Sequence, residues 1–319
     1  MTASLALLAL AVALRLLVGP DGVWDLPRDG AELELRLLRV ASGVSVGAAL
    51  AVSGVLLQSL LRNPLASPAV LGLTSGASLG VMISIYAGFL ATGAVVQYEP
   101  PAVSALLGAM ATLGLVYVIA QRRGMIDPVT LILVGVIVSL IAGALTMLVT
   151  HLLPADGLAA SVQWTLGSLN DNVRWLRLTL VGAVTLIGIG FGCLLGPAMD
   201  AAALSDDEAR AVGVRLGALR ITLFVLAGTL TAGTVLLAGP IAFVGLVIPH
   251  LVRAVGGPSH RPLVLASALT GAGLIVLADA LVRVIDLGSG RMPIGVLTAL
   301  VGGPVFLVIL LRQRPGAES

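Results

Sequence analysis

The chain has 319 residues, of which 58% are apolar and 11% charged, and its mean hydropathy is +1.09. A soluble domain carries about a quarter of its residues as charged side chains, so this composition excludes a water-exposed globular protein and indicates an integral membrane protein. The net charge of +2 is too small and too dispersed for a nucleic-acid-binding face. All 18 basic residues are arginines, and because a P-loop needs a lysine, the chain is not itself a P-loop ATPase.

Ten apolar segments follow one another along the chain, and nine are long enough to cross a bilayer as helices. They lie at 3–19, 40–61, 70–93, 102–120, 129–153, 175–197, 219–239, 245–256, 262–285 and 293–311. The segment 245–256 is short and contains Pro249, so we expect a half-helix or re-entrant piece broken at that proline. The sequence predicts one all-α transmembrane permease domain, residues 1–319, with ten transmembrane helices including this short or broken one.

The first segment and the arginines give the orientation. The N-terminus lacks the basic residues that open a signal peptide, so we interpret the first segment as a span, with a signal peptide as the alternative. With the N-terminus inside, the inner connections hold more arginines, and most outer arginines lie among acidic residues. The positive-inside rule then places both termini in the cytoplasm.

A weak internal repeat relates two halves of the chain. At an offset of 185 residues Gly43, Gly54, Pro64 and Gly72 fall on Gly228, Gly239, Pro249 and Gly257. The orientation above makes the two halves inverted relative to each other. Inverted repeats with broken helices are a common plan among transporters.

The most highly charged inner segment runs over about 199–220. Ser205 and Glu208 have the spacing of a capping box, and three acids fill the following first turn, where the helix dipole favours negative charge. Gly213 can end this short helix in a left-handed cap. The pattern predicts a compact helical loop, which is either an ordinary solvated connector or a docking element for a cytoplasmic partner.

Charged and metal-ligating residues within the apolar segments are few. Asp279 is the one carboxylate well inside a long segment, and Arg283 lies one turn further on, so we expect an i,i+4 ion pair. Arg15 is explained by snorkelling and is given no function. The single cysteine, Cys193, excludes an intramolecular disulfide. The three histidines lack ligand spacing, and we expect no protein-bound metal.

Six stretches resemble, in order, elements of the FecCD-like permeases of ABC importers, the type II importers of ferric siderophores, haem and vitamin B12. They are 46–78, WTLGSLNDNVRW (164–175), LSDDEARAVGVRLG (204–217), GPIAFVGLVIPHLVR (239–253), GLIVLADALVR (273–283) and 292–311. The resemblance implies a second permease copy or paralogue, two cytoplasmic ATPase subunits that use ATP and Mg²⁺, and an extracytoplasmic substrate-binding protein. The chain itself would bind no cofactor.

The same resemblance assigns roles to particular residues. The ATPase-coupling loop would contain Ser205, Asp206, Asp207, Glu208, Ala209, Arg210 and Gly213. Arg36 and Arg39 match the arginines of the family's RLPR element, with Leu38 in place of its proline, and with Arg283 they would dock acidic residues of the binding protein. Snorkelling is the alternative for Arg36 and Arg39. Structural or pathway motifs would include Asn63, Pro64, Gly239, Pro249, His250 and Asp279.

The sequence is therefore interpreted as a permease subunit in the plasma (inner) membrane of a prokaryote, forming the pathway for a ferric siderophore or similar metal chelate. It is not interpreted as an enzyme, since ATP hydrolysis would belong to the partner. A haem or cobalamin permease of the same family is the alternative. An ion-coupled secondary transporter is a further alternative, but it would normally need an intramembrane relay of acids or histidines.

Overall fold

The computed structural model describes residues 1–19, 22–93, 102–122, 125–154, 164–169, 173–285 and 291–312. Within these ranges the chain forms twelve α-helices, a 3₁₀ turn at Pro68–Leu71, and a hairpin of β1 (Gln121–Arg122) with β2 (Met125–Ile126). The helices are α1 Thr2–Leu17, α2 Gly30–Leu61, α3 Leu73–Thr92, α4 Ala102–Ala120, α5 Pro128–His151, α6 Trp175–Leu194, α7 Gly196–Leu204, α8 Asp206–Ala211, α9 Leu216–Ala238, α10 Val244–Gly256, α11 His260–Val284 and α12 Ile294–Arg312.

Seven of the described helices are long and apolar enough to cross a membrane, namely α2 to α6, α9 and α11. Three further apolar helices, α1, α10 and α12, are shorter. These ten helices correspond to the ten apolar segments of the sequence. The all-helical architecture is confirmed, apart from the small hairpin, whereas the count of ten transmembrane helices stays a prediction.

The short helix α10 has 13 residues and continues through Pro249, so the expected break at that proline is wrong. A proline inside a helix cannot donate to the carbonyl four residues earlier, here that of Gly245. This carbonyl faces Gly54 of α2, where an added Cβ atom would lie 1.8 Å from the oxygen. Because Gly54 has no side chain, the α2 backbone packs directly on the carbonyl that α10 cannot satisfy.

The chain is interrupted before α10 instead, between 239 and 243. Gly239 has φ 65° and ψ −163°, a conformation that is essentially restricted to glycine. The segment 164–169 packs against this interruption, since the Ser168 N–H donates to the Ala238 carbonyl at 2.8 Å. The Gly295 N–H in turn donates to the Gly167 carbonyl at 3.0 Å. Irregular backbone between apolar helices is thus satisfied by protein groups, as a membrane interior requires.

The two prolines related by the proposed repeat lie in different local structures. Pro64 is in the turn that follows α2, whereas Pro249 is inside α10. The related Gly43 and Gly228 both lie within long helices, α2 and α9. The inverted repeat stays a prediction, and the likeness in local structure ends where α9 ends, since Gly54 lies inside α2 whereas Gly239 follows the last residue of α9.

Helix α2 lies at the centre of the bundle. In its most apolar 18-residue stretch 89% of the residues are buried, whereas in that of the peripheral helix α5 only 17% are buried. Helices α2 and α11 run antiparallel and meet at Gly47 and Gly271, where a Cβ on Gly47 would lie 2.1 Å from the Gly271 carbonyl oxygen. Ser53 of α2 and Thr231 of α9 share a hydrogen bond of 2.9 Å between their hydroxyl oxygens. Small residues thus permit the close approach of helices on which membrane bundles depend.

Gly54→Ala should destabilise the protein by about 1–3 kcal/mol, because the new methyl group would collide with the Gly245 carbonyl and force α2 and α10 apart. Gly190→Ala in α6 is the matched control, since nothing lies within 4 Å of the place that its new methyl group would take and helix propensity favours alanine. Thermal unfolding of the two variants in detergent checks this, and equal midpoints would contradict the backbone contact.

Candidate functional site

The charged segment between α6 and α9 forms two short helices, α7 and α8. Ser205 caps α8, since its Oγ accepts from the Glu208 N–H at 3.1 Å and donates to the Glu208 carboxylate at 2.7 Å. Gly213 is left-handed, with φ 86°. Its N–H donates to the Arg210 carbonyl, and that of Val214 donates to Ala209, at 3.0 and 2.9 Å. The predicted start and the predicted left-handed end of this helix are both confirmed.

Helix α8 has one face against the protein and one face open. Ala209 is fully buried. The side chain of Asp207 is 96% exposed, and the apolar residues Leu204 and Val212 on either side of α8 are 74% and 70% exposed. We call the open face, made of Leu204, Asp207, Glu208, Arg210 and Val212, the α8 surface. Exposed apolar groups bordered by charges are typical of a protein contact site.

Asp206 is the acid of α8 that faces the bundle. Its carboxylate accepts from Arg62, which follows α2, at 2.5 Å, and from Arg220 in α9 at 3.0 Å. Burial raises the pKa of Asp206, but Arg220 and Arg62 outweigh burial and hold the pKa below its usual value. The carboxylate is therefore ionised at neutral pH, and protonation would weaken these contacts only in acid.

Helix α7 is joined to the start of α11 through Asp200. The carboxylate accepts from the His260 backbone N–H at 2.9 Å and lies 2.6 Å from the ring Nδ1 of the same residue. Asp200 thus caps α11, whose adjacent Ser259 makes no side-chain cap. This contact could not be predicted from local sequence patterns, because the capping residue lies 60 positions earlier in the chain.

At the end of the bundle away from α8, the start of α2 and the end of α11 meet. Here Arg15, Arg39 and Asp279 form a buried ion triad. The Asp279 carboxylate accepts from Arg15 Nε at 2.5 Å and from Arg39 Nη2 at 2.8 Å. All three side chains are 8% exposed or less. The expected i,i+4 pair of Asp279 with Arg283 is therefore wrong, because the carboxylate points across to α1 and α2. Snorkelling of Arg15 is also wrong, since its charge is paired inside the bundle.

Arg36 holds the connection between α1 and α2 in place. Its Nη1 donates to the carbonyls of Leu16 and Asp25 at 2.5 and 2.8 Å, and its Nη2 pairs with the carboxylates of Asp25 and Glu32. Arg36, Arg39 and Arg283 are 2%, 7% and 7% exposed. Their docking role stays a prediction, and in this conformation Arg36 and Arg39 are bound to groups of their own chain.

Asn63, Pro64 and His250 lie toward the α8 end of the bundle, close to the end of α2. Asn63 Oδ1 accepts from the Leu65 N–H at 2.9 Å and so shapes the turn that contains Pro64. Arg253, one helical turn after His250 in α10, donates to Gln58 Oε1 of α2 at 3.1 Å. Across the part of the chain that the structure describes, no three His, Cys, Asp or Glu side chains converge as metal ligands would.

Known proteins match nearly the whole chain. The model of the FecCD transport family matches residues 2–312. The chain belongs to the FecCD transport family. It is 35% identical to the hemin transport system permease protein HmuU of Yersinia pestis, over 92% of this chain and 85% of that protein. It is 36% identical to the cobalamin import system permease protein BtuC of Halobacterium salinarum, over 88% and 73% of the two chains.

A solved structure agrees with this FecCD assignment. The chain matches an inward-facing metal-chelate type ABC transporter with a TM-score of 0.83 and 31% identity, over 98% of both chains. The resemblance seen in the sequence is thus confirmed. This FecCD chain is a multi-pass membrane permease subunit of an ABC importer.

Asp279→Asn should destabilise this FecCD permease by about 3–5 kcal/mol, because it leaves Arg15 and Arg39 buried without their shared carboxylate. The same change at the exposed Asp207 is the control and should leave the unfolding midpoint unchanged. Thermal unfolding in detergent or lipid nanodiscs measures the difference.

The triple replacement Arg15→Met, Arg39→Met and Asp279→Leu separates loss of pairing from loss of packing. It removes all three charges together, so the stability should return toward that of the wild type. If the triple variant were as unstable as Asp279→Asn, the loss of stability could not be attributed to unpaired charge.

Proposed function

We propose that this permease imports an iron chelate, delivered by an extracytoplasmic binding protein and driven by two cytoplasmic ATPase subunits that use ATP and Mg²⁺. The observation that supports ATPase coupling is the α8 surface. It is a capped short helix, held to the bundle on one side, with Leu204 and Val212 exposed on the other. A rigid helix with an apolar and charged open face suits insertion into a groove of a soluble partner.

The proposed orientation places α8 in the cytoplasm and both termini inside. In this orientation the inner connections of the sequence hold ten of the 18 arginines, among them Arg62, Arg210, Arg215, Arg220, Arg253 and Arg261 at the α8 end, and the outer connections hold seven. Such an excess of arginine is typical of the cytoplasmic side. The ten apolar helices would each cross or enter the bilayer, with α10 as the short one.

The substrate class is proposed from what the relatives carry. Hemin and cobalamin, in the names of two relatives, and the metal chelate of the solved transporter are all metal ions held by an organic ligand. We propose a ferric siderophore or similar iron chelate as the cargo, with haem and cobalamin as the alternatives. The iron would arrive in its chelator, so the permease needs no metal ligands of its own.

The exposed faces support the proposed partners. The apolar sides of α4, α5 and α12 include Leu107, Leu140 and Leu300, which are 64%, 69% and 63% exposed and would face lipid or a second permease copy. At the end opposite α8, Leu26 and Trp24 are 72% and 57% exposed, and the Arg28 side chain is 75% exposed. The binding protein would meet this end, and docking by Arg36 or Arg39 would require them to leave their present carboxylates.

Leu204→Asp combined with Val212→Asp should weaken association with the ATPase subunits by about tenfold or more, because buried anchors dominate contact energies. Co-purification of the ATPase with the tagged permease measures this. Leu26→Asp is the matched control, with the same change at a residue of equal exposure on the opposite end, and should retain the ATPase. Equal retention by both variants would contradict a role for the α8 surface.

Uptake in proteoliposomes tests the class of transporter and its cargo. The permease, its ATPase and its binding protein should accumulate a ferric hydroxamate siderophore in the presence of ATP and Mg²⁺, with hemin and cobalamin as the comparison ligands. Accumulation driven by a proton or sodium gradient without the ATPase would refute the importer and favour the ion-coupled alternative.

A further inference from the structure

One carboxylate joins α8 to two central helices. Asp206 Oδ1 accepts from Arg62 at 2.5 Å and from Arg220 at 3.0 Å, and Oδ2 accepts from Arg220 at 3.0 Å. Arg62 is the residue that ends α2, and Arg220 lies in the second turn of α9. The inward acid of α8 is therefore bonded to the ends of the two helices that pack on each other through Ser53 and Thr231.

Arg62 adopts a backbone conformation that is unfavourable for arginine. Its φ and ψ are 46° and 36°, in the left-handed region, where glycine is the usual residue at the end of a helix. The N–H groups of Arg62 and Asn63 donate to the Ser59 and Gln58 carbonyls at 3.3 and 3.1 Å, as in a glycine-ended helix. Glycine would thus serve the backbone better, and what arginine adds is the side-chain contact with Asp206.

Stability alone does not account for this arrangement. The side chains of Arg62, Asp206 and Arg220 are 36%, 32% and 13% exposed. Ion pairs that are partly open to water contribute little to folding, because solvent screens them. The arrangement instead fixes the position of α8 relative to α2 and α9, while the residues of the α8 surface point away from the bundle.

We propose that the cluster of Asp206, Arg62 and Arg220 transmits displacement of α8 to α2 and α9, so that these three are positioning residues for transport. The proposal rests on the proposed function, in which an ATPase moves α8. In this arrangement the ATPase binds at Leu204, Asp207 and Val212. Asp206 then transmits the displacement of α8 to Arg62 and Arg220. The Asp200–His260 contact gives α7 a parallel connection to α11.

The test compares Asp206→Asn and Arg62→Gly in the reconstituted complex, with whichever of the ferric siderophore, hemin and cobalamin the wild type transports. Both variants should still co-purify with the ATPase and hydrolyse ATP. Ligand imported per ATP hydrolysed should fall about fivefold or more, the usual size of a lost coupling between sites. Asp206→Glu keeps a carboxylate and should retain most of the coupling.

Arg62→Gly separates transmission from stability. Because glycine relieves the left-handed strain, its unfolding midpoint should equal or exceed that of the wild type while its coupling is lost. Asp207→Asn is the contrasting variant, since its effect should be a weaker ATPase association without a change in the unfolding midpoint.

Three results would contradict either the transmission proposal or the proposed function. Wild-type import per ATP in Asp206→Asn and Arg62→Gly would overturn the transmission proposal and leave the proposed function intact. Loss of ATPase binding in Asp206→Asn would overturn it as well, because Asp206 would then belong to the contact itself. Failure of the wild-type chain to retain any ATPase would instead refute the proposed function.

Discussion

The pairing of Asp279 with Arg15 and Arg39 is the constraint on which the arrangement of the bundle depends. A charge inside an apolar bundle is tolerated only when it is paired, so the carboxylate and the two guanidinium groups must meet. They come from α11, α1 and α2, and these ion pairs fix the positions of the three helices along their axes relative to one another. The Gly47–Gly271 contact then fixes the distance between α2 and α11, because neither position has room for a side chain.

At their other ends, α2 and α11 both contact the segment that contains α7 and α8. The residue that ends α2 is bonded to Asp206, and the first residue of α11 is bonded to Asp200. Helix α2 has 32 residues and a length of about 48 Å, so one element connects the buried triad with the α8 segment. Since both ends and the middle of this pair are fixed, the pair is expected to move as a unit rather than bend.

Features that depend on neighbours within a few residues could be predicted from the sequence. The Ser205 cap, the Gly213 stop and the short helix near 245–256 all rest on such local patterns. The partner of Asp279 could not be predicted in this way, because Arg15 is 264 positions away and the adjacent Arg283 offered a plausible local pair. The helical path through Pro249 could not be predicted for the same reason, since Gly54, which accommodates the Gly245 carbonyl, lies in another helix. The start of α2 at Gly30 was missed because its first turns are charged.

The buried polar groups of the described interior serve the packing of the helices. Many buried hydroxyl and amide groups in the described interior are engaged by the bundle itself, as in the Ser53–Thr231 pair and the Gln58–Arg253 contact. Groups used between helices cannot also recognise a ligand without breaking those contacts. Relatives at 35% and 36% identity are named for hemin and for cobalamin, which differ greatly in shape. A bundle whose polar groups serve its own packing is thus compatible with relatives named for ligands as different as hemin and cobalamin.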